Sequence, residues 1–256
     1  PAMRLLAVER IKLFSTRSPY WCLAVVLAAA LLFAILMGTL QNGENASVFT
    51  SQSGLGLGMS VFMVLATLAV TTEYRFGTIR TSFQAVPRRA NVLLAKTGLL
   101  VVLAAVTATV SSFAAFFLVK ALAHSPAEPL TLATGGDWRA VLGHAALFPI
   151  AAVIALAVGV LVRQSAGAIT IVLVWPLLIE SLVRLIPKVG SDISNWMPFN
   201  AGSKFVTYIS SGGLPQEALS QVLSGGPTPL EGLAVFAGTA VALWIVALLV
   251  LQRRDA

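Results

Sequence analysis

Charged residues are scarce in this chain of 256 residues: they make up 11% of the sequence, against roughly 25% in soluble globular domains. So low a content excludes an ordinary soluble domain. The mean hydropathy is +0.89, and apolar runs of about 20 residues recur, the length that a helix needs to cross a bilayer. The runs are continuous and do not alternate with polar residues, which argues against a transmembrane β-barrel. The sequence predicts an all-α integral membrane protein.

The sequence also lacks the residues from which most reactive sites are built. It has one cysteine, Cys22, and two histidines, His124 and His144, that lie far apart along the chain. One cysteine excludes a disulfide framework. No G-x-x-x-x-G-K-[ST] or H-E-x-x-H pattern occurs, so the usual phosphate-binding loop and zinc-protease site are missing. We predict no catalytic residue, no metal site and no cofactor bound by this chain, and no nucleic-acid partner.

Six long apolar segments predict six transmembrane helices, numbered here span one to span six. They cover residues 20–40, 54–72, 94–118, 140–162, 166–186 and 231–251. Together they make residues 1–256 a single transmembrane domain. Gly54 and Gly58 have the G-x-x-x-G spacing at the start of span two, which predicts a close contact with another helix.

Lysine and arginine are distributed unevenly between the two sides of these spans. Twelve of the 17 fall on the side that carries both termini, called the basic side below. They are Arg4, Arg10, Lys12, Arg17, Arg75, Arg80, Arg88, Arg89, Lys96, Arg163, Arg253 and Arg254. Because loops rich in Lys and Arg stay in the cytoplasm, we expect both termini to be cytoplasmic.

The segment before span one, residues 3–16, has apolar residues at helical spacing, among them Leu6, Ile11 and Phe14. Glu9 and Lys12 fall on another face. This pattern predicts an amphipathic helix lying in the inner membrane interface. The alternative is a frayed basic tail.

Glu180 is the one acidic residue that falls clearly inside a predicted span. Arg184 follows at the i,i+4 spacing that favours an ion pair within one helix, so a structural pair near the outer surface is one interpretation. The other is a polar contact in a substrate path or outer gate, formed by Glu180 with Trp175 and Pro176, where Pro176 bends the helix.

The longest loop, residues 187–230, joins spans five and six on the side opposite the basic side. Residues 215–223 lie between glycine pairs. They predict a short helix on or within the outer leaflet, and the alternative is a flexible loop.

The loop between spans two and three predicts a docking helix over residues 73–86. Phe76, Ile79, Phe83 and Val86 form one narrow apolar stripe at helical spacing, and Arg75 lies on a different face. Lipid head-group binding would account for the arginines but needs no aromatic stripe. We therefore favour a protein partner.

Three stretches of sequence resemble the permease subunits of type-2 ABC exporters, especially actinobacterial ones. They are "ERIKLFSTRSPYW" before span one, "TTEYRFGTIRTSFQAVPRRANVLLAK" after span two, and "WPLLIESLVRLIP" followed by "WMPFNAG" in and after span five. The second is the most specific. The resemblance covers the whole chain with the same six-span plan.

The resemblance implies a division of roles. Residues 3–16, with Glu9, Lys12 and Phe14, would be a connecting helix beside an ATPase. Residues 73–86 would contain a coupling helix that docks on the ATPase, and the outer loop would hold short re-entrant helices. The coupling residues would be Glu73, Tyr74, Arg75, Phe76, Gly77, Thr78, Ile79, Arg80 and Phe83.

The partners implied are two ABC ATPase subunits, which bind ATP and Mg, and a second permease copy or a paralogue, in a bacterial plasma membrane with its lipids. The expected cargo is a hydrophobic or amphipathic drug, lipid or peptide, and no motif fixes the residues that contact it. Two other function classes stay open. An ATP-independent secondary transporter would need several intramembrane ionisable groups, and a lipid-modifying enzyme would need clustered Asp or His residues.

Overall fold

The computed structural model describes residues 2–39, 46–78, 89–123, 130–207 and 226–254. Within these ranges every regular element is helical, and no strand occurs. Six stretches are long and apolar enough to cross a membrane: Ser18–Thr39, Thr50–Arg75, Ala90–Leu122, Gly135–Val162, Ser165–Val183 and Pro229–Arg253. The prediction of an all-α, multi-pass membrane protein with six spans is confirmed. Span three, at 33 residues, is longer than the predicted 94–118, because its helix continues beyond the apolar run at both ends.

The helices of the spans and their connections are as follows. Helix α1 is Ala2–Phe14, α2 (span one) is Ser18–Thr39, α3 (span two) is Leu55–Arg75 after a 3-10 turn at Thr50–Gln52, and α4 (span three) is Arg89–Leu122. Span four contains α5, Gly135–Leu142, and α6, His144–Val162. Span five contains α7, Ser165–Val174, a π-helical turn at Trp175–Ile179, and α8, Glu180–Val183. Two short helices follow, α9, Gly190–Trp196, and α10, Pro198–Ser203, and then α11 (span six), Pro229–Arg254.

Span four occupies the centre of the molecule and packs against spans two, three and six. Its buried face consists largely of small residues, including Ala151, Ala155 and Gly159. A Cβ added at Gly159 would lie 2.6 Å from Val70 Cγ1 in span two, so the two helices meet there at backbone distance. Small residues at such contacts are how helices pack where no water drives them together.

The glycine pair at the start of span two makes the close contact predicted from its spacing. A Cβ at Gly54 would lie 2.5 Å from the carbonyl oxygen of Ala29 and 2.9 Å from Cα of Ala30. A Cβ at Gly58 would lie 3.1 Å from Val26 Cγ1. The backbone of span one therefore leaves no room for a side chain at Gly54.

Gly54→Ala should separate spans one and two and lower stability by about 1–3 kcal/mol, the usual cost of overpacking. Gly56→Ala is the matched control, because a Cβ there meets nothing within 4 Å and alanine favours a helix over glycine. Thermal unfolding in detergent compares the two. Equal midpoints for both variants would contradict the close contact.

Two helices are irregular near prolines. In span five, Pro176 has no N–H to donate, and the chain makes a π-helical turn in which the N–H of Glu180 bonds to the carbonyl oxygen of Trp175. In span four, α5 ends at Leu142 and α6 starts at His144, with Pro149 inside α6. In span five, the helical turn at Pro176 therefore contains one extra residue, at the position where the sequence predicted a bend.

Two short helices occur in the part of the segment after span five that the structure describes. Helices α9 and α10 lie in residues 190–203. The predicted helix at 215–223 lies outside the described residues. Helix α10 packs on the start of span six, where a Cβ at Gly232 would lie 2.1 Å from the carbonyl oxygen of Ala201.

Candidate functional site

The first of the two groups of predicted site residues lies on the basic side, where α1 meets spans two and three. Helix α1 ends at Phe14, and residues 15–17 turn the chain into span one. The Phe14 ring lies 5.5 Å from the Tyr20 ring, centroid to centroid. This turn folds α1 back onto span three.

Four charged side chains meet at this junction, and we call them the ionic cluster: Glu9, Lys12, Glu73 and Lys96. Lys96 Nζ donates to Glu9 Oε2 at 2.5 Å and to Glu73 Oε1 at 3.0 Å. Lys12 Nζ donates to Glu9 Oε1 at 3.0 Å and to Glu73 Oε1 at 3.5 Å. The ionic cluster joins the N-terminal helix, the end of span two and the start of span three.

The ionic cluster is mostly buried. Glu9 is 4% exposed, Lys96 is 6% exposed and Glu73 is 8% exposed, whereas the side chain of Lys12 is 35% exposed. Buried charges persist only when they are paired. Here two carboxylates face two ammonium groups, so the charges balance.

Span two is longer than predicted and takes up the first residues of the predicted docking segment. Glu73, Tyr74 and Arg75 belong to the end of span two, and the break comes at Gly77. Gly77 has a φ of +68°, a left-handed conformation that glycine adopts without strain. Span two therefore runs on through Glu73, because Thr71 to Arg75 contains no helix breaker.

Beyond this break the predicted stripe is described only in part. Phe76 is 72% exposed, and its ring lies 5.7 Å from Cζ of Arg75. Thr78 lines the cavity described below. Ile79, Arg80, Phe83 and Val86 lie outside the described residues.

Helix α1 presents its acidic residue to the protein and three of its apolar residues outward. Glu9 is buried, whereas Leu6, Val8 and Ile11 are exposed. The sequence pattern predicted that Glu9 lies on a different face from the apolar residues, but it identified no partner for Glu9. Exposed apolar side chains at the basic side suit contact with lipid.

Span two is also held on its other side, by the turn between spans four and five. Ser165 Oγ donates to Thr71 Oγ1 at 3.0 Å. The guanidinium carbon of Arg163 lies 5.1 Å from the centre of the Tyr74 ring, a cation–π distance. The residues just before Phe76 thus contact span five as well as span three.

Sequence reasoning assigned Lys96 to membrane topology and missed its role in the ionic cluster. A usable signal was present, because Lys96 is the one charged residue within the predicted span three, residues 94–118. A charge in that position needs a partner. Its two partners are 23 and 87 residues away, so no local pattern identifies them.

Neighbouring charges set the pKa values of the two α1 members of the ionic cluster. Burial alone would raise the pKa of Glu9, but the charges of Lys96 and Lys12 outweigh it and hold that pKa below 4.5. Burial alone would lower the pKa of Lys12, but Glu73 and Glu9 hold it above 10.5. Glu9 and Lys12 are therefore both charged at neutral pH.

These two shifts predict how stability depends on pH. The contribution of Glu9 should be fully present above pH 4.5 and be lost as the pH falls through its lowered folded-state pKa. The contribution of Lys12 should be fully present below pH 10.5 and be lost as the pH rises through its raised pKa. Unfolding midpoints measured across this range should form a plateau, and Glu9→Gln should flatten its acid side. An unchanged acid side in Glu9→Gln would contradict the assignment.

The second group of predicted site residues lies around Glu180, on the opposite side. Glu180 is fully buried. Its Oε1 accepts the N–H of Phe199 at 3.1 Å, and its Oε2 accepts the N–H of Asn200 at 2.7 Å. No ion pair joins it to Arg184, although the structure describes both residues. Of the two interpretations of Glu180, the ion pair with Arg184 is therefore wrong, and Glu180 instead holds the first turn of α10.

The structure does bring Trp175 and Glu180 together. The side chain of Trp175 hydrogen-bonds to the Glu180 carboxylate, because the π-helical turn containing Pro176 aligns residues five apart. Ser194 Oγ donates to the carbonyl oxygen of Glu180 at 3.1 Å. This group fastens α9 and α10 to span five, and a role as an outer gate stays a prediction.

A cavity of about 510 Å³ adjoins the ionic cluster. One end is lined by Glu9, Lys12, Glu73 and Lys96. The apolar part of the lining includes four leucines of spans two and three, Leu65, Leu68, Leu99 and Leu100. The site thus combines a charged end with a hydrophobic wall.

Among the described residues, no group of three or more His, Cys, Asp or Glu side chains could hold a metal ion. His144 is buried, and its Nδ1 lies 3.0 Å from the carbonyl oxygen of Ala140. His124 lies outside the described residues. No known family model matches the chain, and a comparison with curated proteins found no relative.

Proposed function

We propose that this chain is the transmembrane permease subunit of an ABC exporter. The observation that carries the proposal is the ionic cluster, which ties α1 to spans two and three immediately before the exposed Phe76. A segment that receives force from a partner needs such a rigid attachment. The sequence resemblance of residues 71–96 to type-2 exporter permeases supports the same function.

In this function ATP hydrolysis occurs on two separate ATPase subunits, which carry the ATP and Mg. Residues 76–86 dock on the ATPase, and a second permease copy or a paralogue completes the transport path. ATP binding shifts the equilibrium between two arrangements of the permease pair. The cargo is a hydrophobic or amphipathic molecule that leaves the cytoplasm across a bacterial plasma membrane, and both termini of the permease are cytoplasmic.

Phe76→Asp combined with Ile79→Asp should abolish co-purification of the ATPase while the permease stays folded. The physical reason is that a carboxylate buried in a docking groove without a partner is strongly unfavourable. The measurement is affinity purification of the chain expressed together with its neighbouring genes.

Leu230→Asp is the matched control, because Leu230 and Phe76 are each 72% exposed but lie on opposite sides. The control should keep the ATPase. An intact complex in the Phe76→Asp/Ile79→Asp variant would contradict the docking assignment. If no ATPase co-purifies even with the parent chain, the exporter proposal itself fails.

A secondary transporter is the second candidate, and the burial of Glu73 and Lys96 favours it more than the sequence did. Ion-coupled carriers use buried ionisable groups. The ionic cluster, however, lies near the ends of its helices, whereas carrier sites lie near the membrane midplane. Transport by the chain alone in vesicles, driven by an imposed pH gradient without ATP, would establish this candidate.

A further inference from the structure

We propose that the cavity beside the ionic cluster binds the head group of a phospholipid that carries a primary ammonium, with its acyl chains along the leucine wall. This site does not depend on an ATPase partner. Its function would be to bind a membrane lipid, whatever the chain transports.

The first observation is that only one of the two carboxylate oxygens of Glu73 is hydrogen-bonded within the described residues. Its Oε1 accepts hydrogen bonds from both Lys96 and Lys12, whereas its buried Oε2 has no hydrogen-bond partner among the described residues. An ionised carboxylate has about four acceptor positions, and a buried acceptor left unused is costly. The last torsion of a glutamate is broad, so a partial rotation of the carboxylate can bring Oε2 toward the cavity that Glu73 lines.

The second observation is the weak link between Lys12 and Glu73. Their distance of 3.5 Å is the longest in the ionic cluster, and Lys12 is its most exposed member. A ligand ammonium can therefore take this position at Glu73, while Lys96 stays bound at 3.0 Å. Lys12 keeps Glu9 as its partner at 3.0 Å and lies beside the cavity, where it can face a lipid phosphate.

The third observation is the place and shape of the cavity. Glu73 lies two positions before the end of α3, and Lys96 lies seven positions after the start of α4. At 1.5 Å per residue, the charged end is about 3–11 Å inside the ends of these helices, near the level of lipid head groups. Leu65, Leu68, Leu99 and Leu100 extend the cavity along spans two and three, which suits an acyl chain.

These features select among lipids. A primary ammonium offers three N–H donors to a carboxylate, and such charge-assisted hydrogen bonds are strong. A choline head group has no N–H and cannot make them. An anionic head group without an amine would bring its charge toward two buried carboxylates, Glu9 and Glu73.

The test is native mass spectrometry of the full purified chain with phosphatidylethanolamine, phosphatidylcholine and phosphatidylglycerol of identical acyl chains. Phosphatidylethanolamine should bind about tenfold more tightly than phosphatidylcholine, the effect of one charge-assisted hydrogen bond. Glu73→Gln should reduce this preference to about twofold or less. Glu231→Gln, at an exposed carboxylate on the opposite side, should keep it.

A second pair of variants tests the apolar wall without changing the charge. Leu68→Trp fills the cavity and should remove the bound lipid, while Leu32→Trp, on the exposed face of span one, should not. Equal binding of phosphatidylethanolamine and phosphatidylcholine by the parent chain would overturn the proposal. So would a preference for phosphatidylglycerol, or a preference that survives both Glu73→Gln and Leu68→Trp. Dodecylamine has a primary amine and an alkyl chain but no phosphate. If the chain binds dodecylamine and does not bind phosphatidylethanolamine, the phospholipid assignment is wrong.

Discussion

Lys96→Met is expected to destabilise the protein by about 3–5 kcal/mol, the usual cost of removing one partner from a buried ion pair. Lys96 is the one cation of the ionic cluster that is itself buried, and it bonds to both carboxylates. Without it, Glu9 and Glu73 share only Lys12, which is 3.5 Å from Glu73. Thermal unfolding in detergent, or the yield of folded protein, measures the loss.

Two controls separate the charge effect from the loss of a side chain. Lys120→Met removes a lysine from the other end of the same helix, where it is exposed, and should change stability little. Glu9→Gln and Glu73→Gln added to Lys96→Met should restore much of the stability, because no buried charge then lacks a partner. A triple variant as unstable as Lys96→Met would contradict the electrostatic explanation.

Glu180→Leu is expected to lower stability by about 2–6 kcal/mol, since each buried donor left without an acceptor costs about 1–3 kcal/mol. The two donors counted here are the backbone N–H groups of Phe199 and Asn200, and the Trp175 side chain, which is partly exposed, is a third donor to the same carboxylate. Glu180→Gln should cost less, because the amide oxygen can still accept one of these bonds. This comparison distinguishes hydrogen bonding from packing.

Hydrogen exchange of α10 provides the second measurement for this prediction. In Glu180→Leu, the amides of Phe199 and Asn200 should exchange much faster, whereas those in the middle of span four should change less. Unchanged protection of α10 would show that Glu180 does not hold this helix. Arg184→Met should leave the same amides protected, because Arg184 forms no ion pair with Glu180.

The spans could be predicted from sequence because their signal is local. An uninterrupted apolar run near 20 residues leaves few alternatives to a membrane helix, and the glycine contact at Gly54 follows from a four-residue spacing. Helix α3 ends three residues later than the apolar run, because hydrophobicity stops at Thr72 while the helix continues to Arg75, and the backbone turns left-handed at Gly77. Hydropathy marks the membrane, whereas backbone conformation ends the helix.

The candidate site could be predicted only in part, because its contacts are not local. The sequence identified Glu9, Lys12, Glu73 and Glu180 individually, yet it offered only Arg184 as an ion-pair partner of Glu180 and left Lys96 out. An i,i+4 spacing made Arg184 the obvious partner, but two backbone N–H groups from a helix about 20 residues away satisfy the carboxylate. Only the folded structure shows that these N–H groups, and not Arg184, bind the carboxylate.

The π-helical turn at Trp175–Ile179 changes how the faces of span five are counted. Val172 and Glu180 are both buried, and no residue of the turn between them is. In a regular helix each residue adds about 100° of rotation, and the wide turn absorbs the rotation of one residue. The residues after the turn therefore face the neighbouring helices as they would in a regular helix that is one residue shorter. Seven positions after Val172, a regular helix would place Ile179 inward, but here Glu180 takes that inward position. Span five thus accommodates a one-residue insertion within the turn, and the helical segments before and after it keep their inward faces aligned.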